Sequence, residues 1–393
     1  MTERPLRHRT LYIPSGDIVL RAKDENYAYL YRVHRATLLH YAPKLADVLQ
    51  SATESDSVEE YDGAPVVDLP ESQTEVKAFL EVVYGNEHTH MKRQDPGAAL
   101  FAAKALVLIT KYDCRELRAR VVRHIGADWP QSPREWLALH QMRRACVETA
   151  KFLAEDAPVE NIFPEPASVI RLAQDYDIPS VLPAAYLELV SVSRKNDWDA
   201  LRQGGGHSPF ASLGSGLDWD AIGRDARLPL DVRSARWSLL TRDDKARLKS
   251  AKLELQARCM GLRKAVFNVP RGNCTGPSLD CQTELKFHRG MKMVCDMDDD
   301  LPGAAPFGRM GYPGQLEDMR QLVFDGRYYT SREKRVKPDP MALLQDLFEC
   351  VPDYGLCQRC CDGVRYNIAR EMQRIWADLP AIFGLPQAIS TIA

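Results

Sequence analysis

The cysteines of this chain are unevenly distributed. There are ten in 393 residues, and eight of them lie between Cys259 and the end. Residues 1–14 lack the apolar centre of a secretory signal, and no apolar run is long enough to span a bilayer. We therefore expect an intracellular protein, in the cytoplasm or the nucleus, with reduced cysteines. In that setting clustered cysteines favour metal ligation over disulfides.

Two cysteine pairs fit a metal site. Zinc prefers four tetrahedral thiolate or imidazole ligands, and Cys357 and Cys360 form a Cys-x-x-Cys pair. Cys274 and Cys281 form a second, wider pair. Together they predict a structural zinc site that joins the loop after a long helix to the start of the last helix. Two alternatives stay open: reduced cysteines packed as small apolar groups, and other ligand sets or redox chemistry. The competing ligands are Cys259, His288, Cys295, Cys350 and Cys361.

The charge of the chain is balanced. It has 52 basic and 54 acidic side chains, a formal net charge of -2, and 45% hydrophobic residues. This composition is typical of a soluble globular protein with two or three domains, and it disfavours nucleic acid as a partner. No Ser/His/Asp or Cys/His arrangement has a recognisable catalytic context, so we expect no enzyme.

The first 130 residues predict a small sheet covered by helices. β-branched and aromatic residues at 17–21 and 27–33 indicate a hairpin, and residues 66–69 indicate a third strand. Apolar residues at helical spacing follow, with Thr74 as the expected N-cap of the first of these helices. The predicted helices span residues 75–84, 100–112 and 115–125.

Helical periodicity dominates from residue 132 onward, so the whole chain is predicted to be α+β. A long helix begins after Thr241 as N-cap, and the last helix spans residues 366–379 and ends at Pro380. The buried stripe expected on the long helix is Leu248, Leu255, Cys259, Leu262 and Val266.

Several separated motifs follow one another in the N-terminal unit. They are Ser-Gly-Asp-Ile-Val-Leu at 15–20, Val-His-Arg-Ala-Thr-Leu-Leu at 33–39, Tyr-Ala-Pro-Lys-Leu at 41–45, Val-Asp-Leu-Pro at 67–70, Phe-Leu-Glu-Val-Val-Tyr-Gly at 79–85 and Lys-Tyr-Asp at 111–113. With these motifs in this order, residues 15–126 resemble the BTB/POZ domain. Weaker similarity to long BTB proteins of mushroom-forming fungi continues at 167–186 and 356–385, and it implies no activity.

The resemblance implies a BTB/POZ domain followed by a mainly α-helical region. It also implies a homodimer or a docking partner, with Asp17 and Arg35, beside His34, at a charged groove. The scaffold it implies is a cullin-type ubiquitin ligase, for which this chain would be the adaptor of an unknown client. The simpler alternative is that Asp17 caps a turn, Arg35 is solvated and His34 is a packing residue.

We therefore expect a protein-interaction protein without a membrane segment. The alternative is a transcriptional or chromatin regulator with a zinc-stabilised C-terminal domain, although no DNA-binding motif is present. The predicted organisation is an extension at 1–14, a BTB/POZ-like domain at 15–126, a helical segment at 132–200, a linker at 201–235 and a Cys-rich domain at 236–393.

Overall fold

The chain folds as a mixture of strands and helices, as predicted. In the computed structural model a small N-terminal sheet precedes a region that is mostly helical. No helix within the described ranges is long and apolar enough to cross a membrane. Most of the predicted linker, and Cys295, lie outside these ranges. The structure describes residues 5–24, 27–53, 59–85, 93–153, 163–199, 233–270, 274, 280–290 and 339–386.

The chain divides into two compact units. Unit 1 comprises Met1–Pro130 and Pro158–Val181, and unit 2 comprises Gln131–Ala157 and Leu182–Ala393. The helical segment expected at 132–200 therefore contributes to both units.

The described residues contain twelve α-helices. In chain order they are α1 Arg35–Tyr41, α2 Ala46–Thr53, α3 Gln73–Tyr84, α4 Ala98–Lys111, α5 Arg115–Gly126, α6 Pro133–Leu153, α7 Pro166–Asp175, α8 Leu182–Val190, α9 Arg242–Val266, α10 Asp280–Gly290, α11 Pro340–Cys350 and α12 Gln358–Ile382.

The sheet of unit 1 contains the three predicted strands and two others. Its order is β1-β3-β2-β5-β4, with β2 and β3 forming the antiparallel hairpin, β1 parallel to β3 and β5 parallel to β2. The strands are β1 Leu6–Tyr12, β2 Ile18–Lys23, β3 Ala28–Val33, β4 Glu60–Tyr61 and β5 Ala64–Ser72. The sequence did not predict β1, because most of its side chains are polar and exposed.

The sheet curls until side chains from its two outer strands meet. The Tyr12 hydroxyl donates to Asp62 Oδ2 at 2.6 Å, and Arg7 Nη2 donates to Asp62 Oδ1 at 3.0 Å. The Arg7 guanidinium also lies 4.9 Å from the centre of the Tyr12 ring and 5.2 Å from that of Tyr61. The curled sheet encloses a small apolar cluster of Val19, Leu30, Ala64 and Val66.

Helix α3 begins with a capping box. Ser72 is the N-cap: its Oγ accepts from Glu75 N, and its own N–H donates to Glu75 Oε2 at 2.9 Å. The predicted N-cap, Thr74, is wrong, because Thr74 already lies inside the first turn of the helix. Helices α3, α5 and α7 then pack around α4, where the Tyr176 hydroxyl donates to the Ala103 carbonyl at 3.0 Å.

In unit 2, helices α9, α11 and α12 pack against one another, and α10 packs against α9. The predicted N-cap of α9 is confirmed, since Thr241 and Asp244 form a capping box, and the predicted stripe on α9 is buried. The prediction for α12 is wrong at both ends. The helix begins at Gln358, eight residues before the predicted start, and Pro380 lies inside its last turn.

Candidate metal centre

Four cysteines meet in unit 2. The Sγ atoms of Cys274, Cys281, Cys357 and Cys360 all lie within 4.8 Å of one another. These are the four ligands that the sequence predicted. The fold brings Cys274 next to Cys357, although the two residues are 83 positions apart in the chain. The cluster can hold a metal ion.

Secondary structure sets the positions of these cysteines. Cys357 is the N-cap of α12, its backbone is extended, and its carbonyl accepts the helical hydrogen bond from Cys361 N at 2.9 Å. Cys360 lies in the first turn of the same helix, so the Cys-x-x-Cys pair places two sulfurs at one helix start. Cys281 is the second residue of α10, and Cys274 precedes that helix.

The sulfur spacing fits ligation of one ion. A zinc–sulfur bond of about 2.3 Å gives a sulfur–sulfur distance of about 3.8 Å in a regular tetrahedron. Cys274 Sγ and Cys357 Sγ lie 3.9 Å apart, far beyond the bond length of about 2.05 Å in a disulfide. Four sulfurs would fill all four positions of a tetrahedral ion, which leaves none for a substrate.

Opposing effects act on the thiols in the absence of a cation. Cys357 N–H donates to Cys281 Sγ at 3.2 Å, and this hydrogen bond lowers the pKa of Cys281. Burial and the neighbouring sulfurs outweigh it, so that pKa is raised overall. Burial also raises the pKa of Cys360. A divalent cation would reverse this balance, because it stabilises thiolates and displaces their protons.

Other contacts join the same three chain segments. Asn367 of α12 donates through Nδ2 to the carbonyls of Val266 at 3.0 Å and Asn268 at 3.3 Å, at the end of α9. Arg289 of α10 donates to the Phe267 carbonyl at 3.1 Å. The cysteine cluster therefore lies at a junction of α9, α10 and α12 that is also held by hydrogen bonds from side chains to backbone carbonyls.

Close helix approach supports this junction. A Cβ atom on Gly363 would lie 2.8 Å from Val269 Cγ1, so α12 approaches the segment after α9 only because residue 363 has no side chain. Neither Asn367 nor Gly363 was predicted as a site residue from the sequence. The available signal was a polar Asn367 between the apolar residues Val364 and Ile368 of the same helix.

His288 is a packing residue beside the junction. Its ring stacks on Phe267 at 5.0 Å between centroids and lies 4.4 Å from the Tyr354 ring. Burial is the main cause that lowers the pKa of His288 to about 4, and the positive charge of Arg263 adds to it. His288 is therefore neutral at pH 7, and it is not a member of the four-sulfur group.

Within the described residues, the competing cysteines Cys259, Cys350 and Cys361 also lie outside that group. The Cys361 thiol donates to the Leu356 carbonyl at 3.5 Å, although it follows Cys360 directly. Cys259 is buried on the inner face of α9, and Cys350 is buried at the end of α11.

The three residues expected at a partner groove lie together in unit 1. Arg35 N–H donates to Asp17 Oδ1 at 2.7 Å, so Asp17 caps the start of α1, where His34 itself provides no capping side chain. His34 N–H donates to the Tyr84 hydroxyl at 2.8 Å, and His34 Nε2 lies 3.0 Å from Ser15 Oγ. Asp17 is exposed. That a partner binds here stays a prediction.

No protein-family model, curated protein or solved structure matches this chain.

Proposed function

We propose that this chain is a protein-interaction protein whose unit 2 is stabilised by a structural zinc ion. The observation that supports the zinc ion is the set of four sulfurs within 4.8 Å of one another. Sulfur ligands favour zinc over magnesium or calcium, which prefer oxygen. Because the protein would supply all four ligands, the ion would fix α10 and α12 to the segment after α9 and would take no part in catalysis.

Unit 1 is the proposed docking module, of the BTB/POZ type. The hairpin β2–β3, then α1, β5 and α3 to α5 follow one another in the order of the motifs that resemble that family. The Asp17 carboxylate accepts a hydrogen bond from the backbone N–H of Arg35, so an acidic and a basic residue meet at the start of α1. We infer that this surface binds a second copy of the chain or a cullin scaffold, while unit 2 binds a client. We also place the protein inside the cell, in the cytoplasm or the nucleus, because zinc thiolates need reduced cysteines.

Charge reversal at one helix start tests the docking proposal. Arg35 is the first residue of α1 and Arg115 is the first residue of α5, so reversal of either charge has a similar effect on its helix dipole. We expect Arg35→Glu to abolish co-precipitation of the purified chain with a cullin, or its dimerisation, and Arg115→Glu to leave both intact. Equal binding by the two variants would contradict a role for this surface, and a wild-type protein that is monomeric and binds no cullin would contradict the module.

The alternative function is that of a transcriptional or chromatin regulator with the same zinc-stabilised unit. Exposed basic residues on α9, namely Arg242, Lys249 and Lys264, favour it. It predicts that unit 2 is retained on duplex DNA and that retention falls steeply with salt concentration. Co-precipitation with a cullin and no retention on DNA would support the docking proposal over this one.

A further inference from the structure

The four cysteine residues of the cluster differ in their exposure to solvent. Cys281 and Cys360 are 3% and 0% exposed, whereas Cys274 and Cys357 are only partly buried. The two accessible residues are also close to each other, with 3.9 Å between their Sγ atoms. A small oxidant from solvent would therefore reach two sulfurs that lie side by side.

We propose that Cys274 and Cys357 are an oxidation site for hydroperoxides, and that their conversion to a disulfide releases the metal ion. This inference rests on the proposed zinc site. The two sulfurs must approach from 3.9 Å to about 2.05 Å for this disulfide to form.

The chemistry balances with hydrogen peroxide as the only oxidant. One thiolate attacks a peroxide oxygen, the O–O bond breaks, and the second oxygen leaves as water after taking a proton. The sulfenic acid that results is attacked by the other thiolate, an S–S bond forms, and the S–O bond breaks; the hydroxide that leaves takes a proton from solvent to become a second water. The two sulfurs lose two electrons, the peroxide gains them, and the zinc ion keeps its charge because it has no redox chemistry.

Cys357 is the better first nucleophile. It is the N-cap of a 25-residue helix, and the positive end of the helix dipole favours a thiolate there. Cys274 would then act as the resolving thiol. Cys361, one residue after the cluster, is buried and donates to the Leu356 carbonyl, so we expect it to react later.

Loss of the metal would act on α10. The new disulfide would still join the Cys274 segment to α12, but Cys281, the residue by which α10 contacts the cluster, would lose its link. Two remaining thiolates are too few for a structural zinc site. We therefore expect faster amide hydrogen exchange in α10 and little change in α9.

The test uses full-length, zinc-loaded, reduced protein treated with increasing hydrogen peroxide. Released zinc is measured with a chelating dye, and cysteines are mapped by alkylation and mass spectrometry. We expect one disulfide for each zinc ion released, a mass lower by about 2 Da, and assignment of the bond to Cys274 and Cys357. A thiol reductant with added zinc should restore the original state.

Two variants sharpen the result. Cys274→His keeps four ligands of types that zinc accepts but removes the resolving sulfur, so this variant should retain its zinc at a peroxide dose that empties the wild type. Cys361→Ser, the matched control, should release zinc at the wild-type dose. If Cys274→His fails to bind zinc, the oxidation site is tested by the position of the disulfide in the peroxide-treated wild type.

The outcomes separate the two proposals. Zinc-loaded protein that keeps its metal under peroxide, or a disulfide that maps to Cys281 and Cys360, overturns the oxidation site alone. Reduced protein that binds no zinc overturns the zinc site and the oxidation site together.

Discussion

Replacement of His288 tests the packing of the junction through its pH dependence. The imidazole is 4% exposed and stacks on Phe267, and burial lowers the pKa of His288 from 6.5 to about 4. The folded protein therefore binds a proton at this residue less readily than the unfolded chain does. The variant His288→Phe keeps an aromatic ring on Phe267 and removes the titrating group.

The size of the effect follows from linkage. The contribution of neutral His288 to stability is fully present above pH 6.5 and is lost as the pH falls toward 4. At pH 5 the unfolded histidine is almost fully protonated, while the folded one is mostly neutral. With about 1.4 kcal/mol for each pKa unit, the wild type should lose about 2 kcal/mol between pH 7 and pH 5 at this residue. His288→Phe should not lose that amount.

The assay is urea unfolding at the two pH values, followed by pulsed hydrogen exchange in peptides of α9 and α10 so that only unit 2 is measured. Zinc-loaded wild type and variant are compared, because any titration of the cysteines then cancels in the difference between them. His40→Gln, at an exposed residue of unit 1, is the control. Equal losses of stability in wild type and His288→Phe would refute the buried, neutral assignment of His288.

Three further predictions concern stability. Gly363→Ala should destabilise unit 2 by about 1–3 kcal/mol in urea unfolding, because the new Cβ would lie 2.8 Å from Val269 Cγ1. Gly261→Ala, on the open side of α9, should instead stabilise it by about 0.5–1 kcal/mol; the reverse order would contradict the packing. Ser72→Ala should lower the free energy of unfolding of unit 1 by about 1 kcal/mol, because the capping hydrogen bond is lost, whereas Thr74→Ala should leave it nearly unchanged. An equal loss in both variants would contradict Ser72 as the N-cap. Removal of metal with a chelator under reducing conditions should lower the unfolding midpoint of unit 2 and leave that of unit 1 unchanged, so an unchanged unit 2 would argue against a structural metal.

Helices and strands were predictable from the sequence where their own residues favour that secondary structure. The strands β2 and β3 contain several β-branched and aromatic residues, and α9 has both a capping residue and an apolar stripe. Strand β1 depends on tertiary contacts instead, since Arg7 and Tyr12 bind Asp62 from the far edge of the sheet. No local pattern in the sequence encodes such a contact.

The errors in α12 have local causes. Its first two turns contain two cysteines and a glycine, and regular apolar spacing begins only at Val364. Pro380 is tolerated because it lies in the last turn, where Phe383 N still donates to Leu379 O at 3.0 Å and Leu385 N donates to Pro380 O at 2.8 Å. A proline there removes one helical hydrogen bond without ending the helix.

The candidate site was predictable in part. The Cys-x-x-Cys spacing identified Cys357 and Cys360, and a second, wider pair of cysteines identified Cys274 and Cys281. Asn367 depends on how α9 packs against α12, because its acceptors lie 99 and 101 positions earlier in the chain. Contacts at such separations follow from tertiary packing and not from local sequence.

The most direct measurement is a native mass spectrum of the purified, reduced protein, followed by a denaturing spectrum of the same sample. We expect a native mass near twice 44.4 kDa and the loss of one zinc ion per chain on denaturation. Loss of the zinc in Cys360→Ser but not in Cys361→Ser would assign it to the four-sulfur cluster. A protein that contains no zinc, even when it is reduced and supplied with the metal, would contradict the structural zinc site.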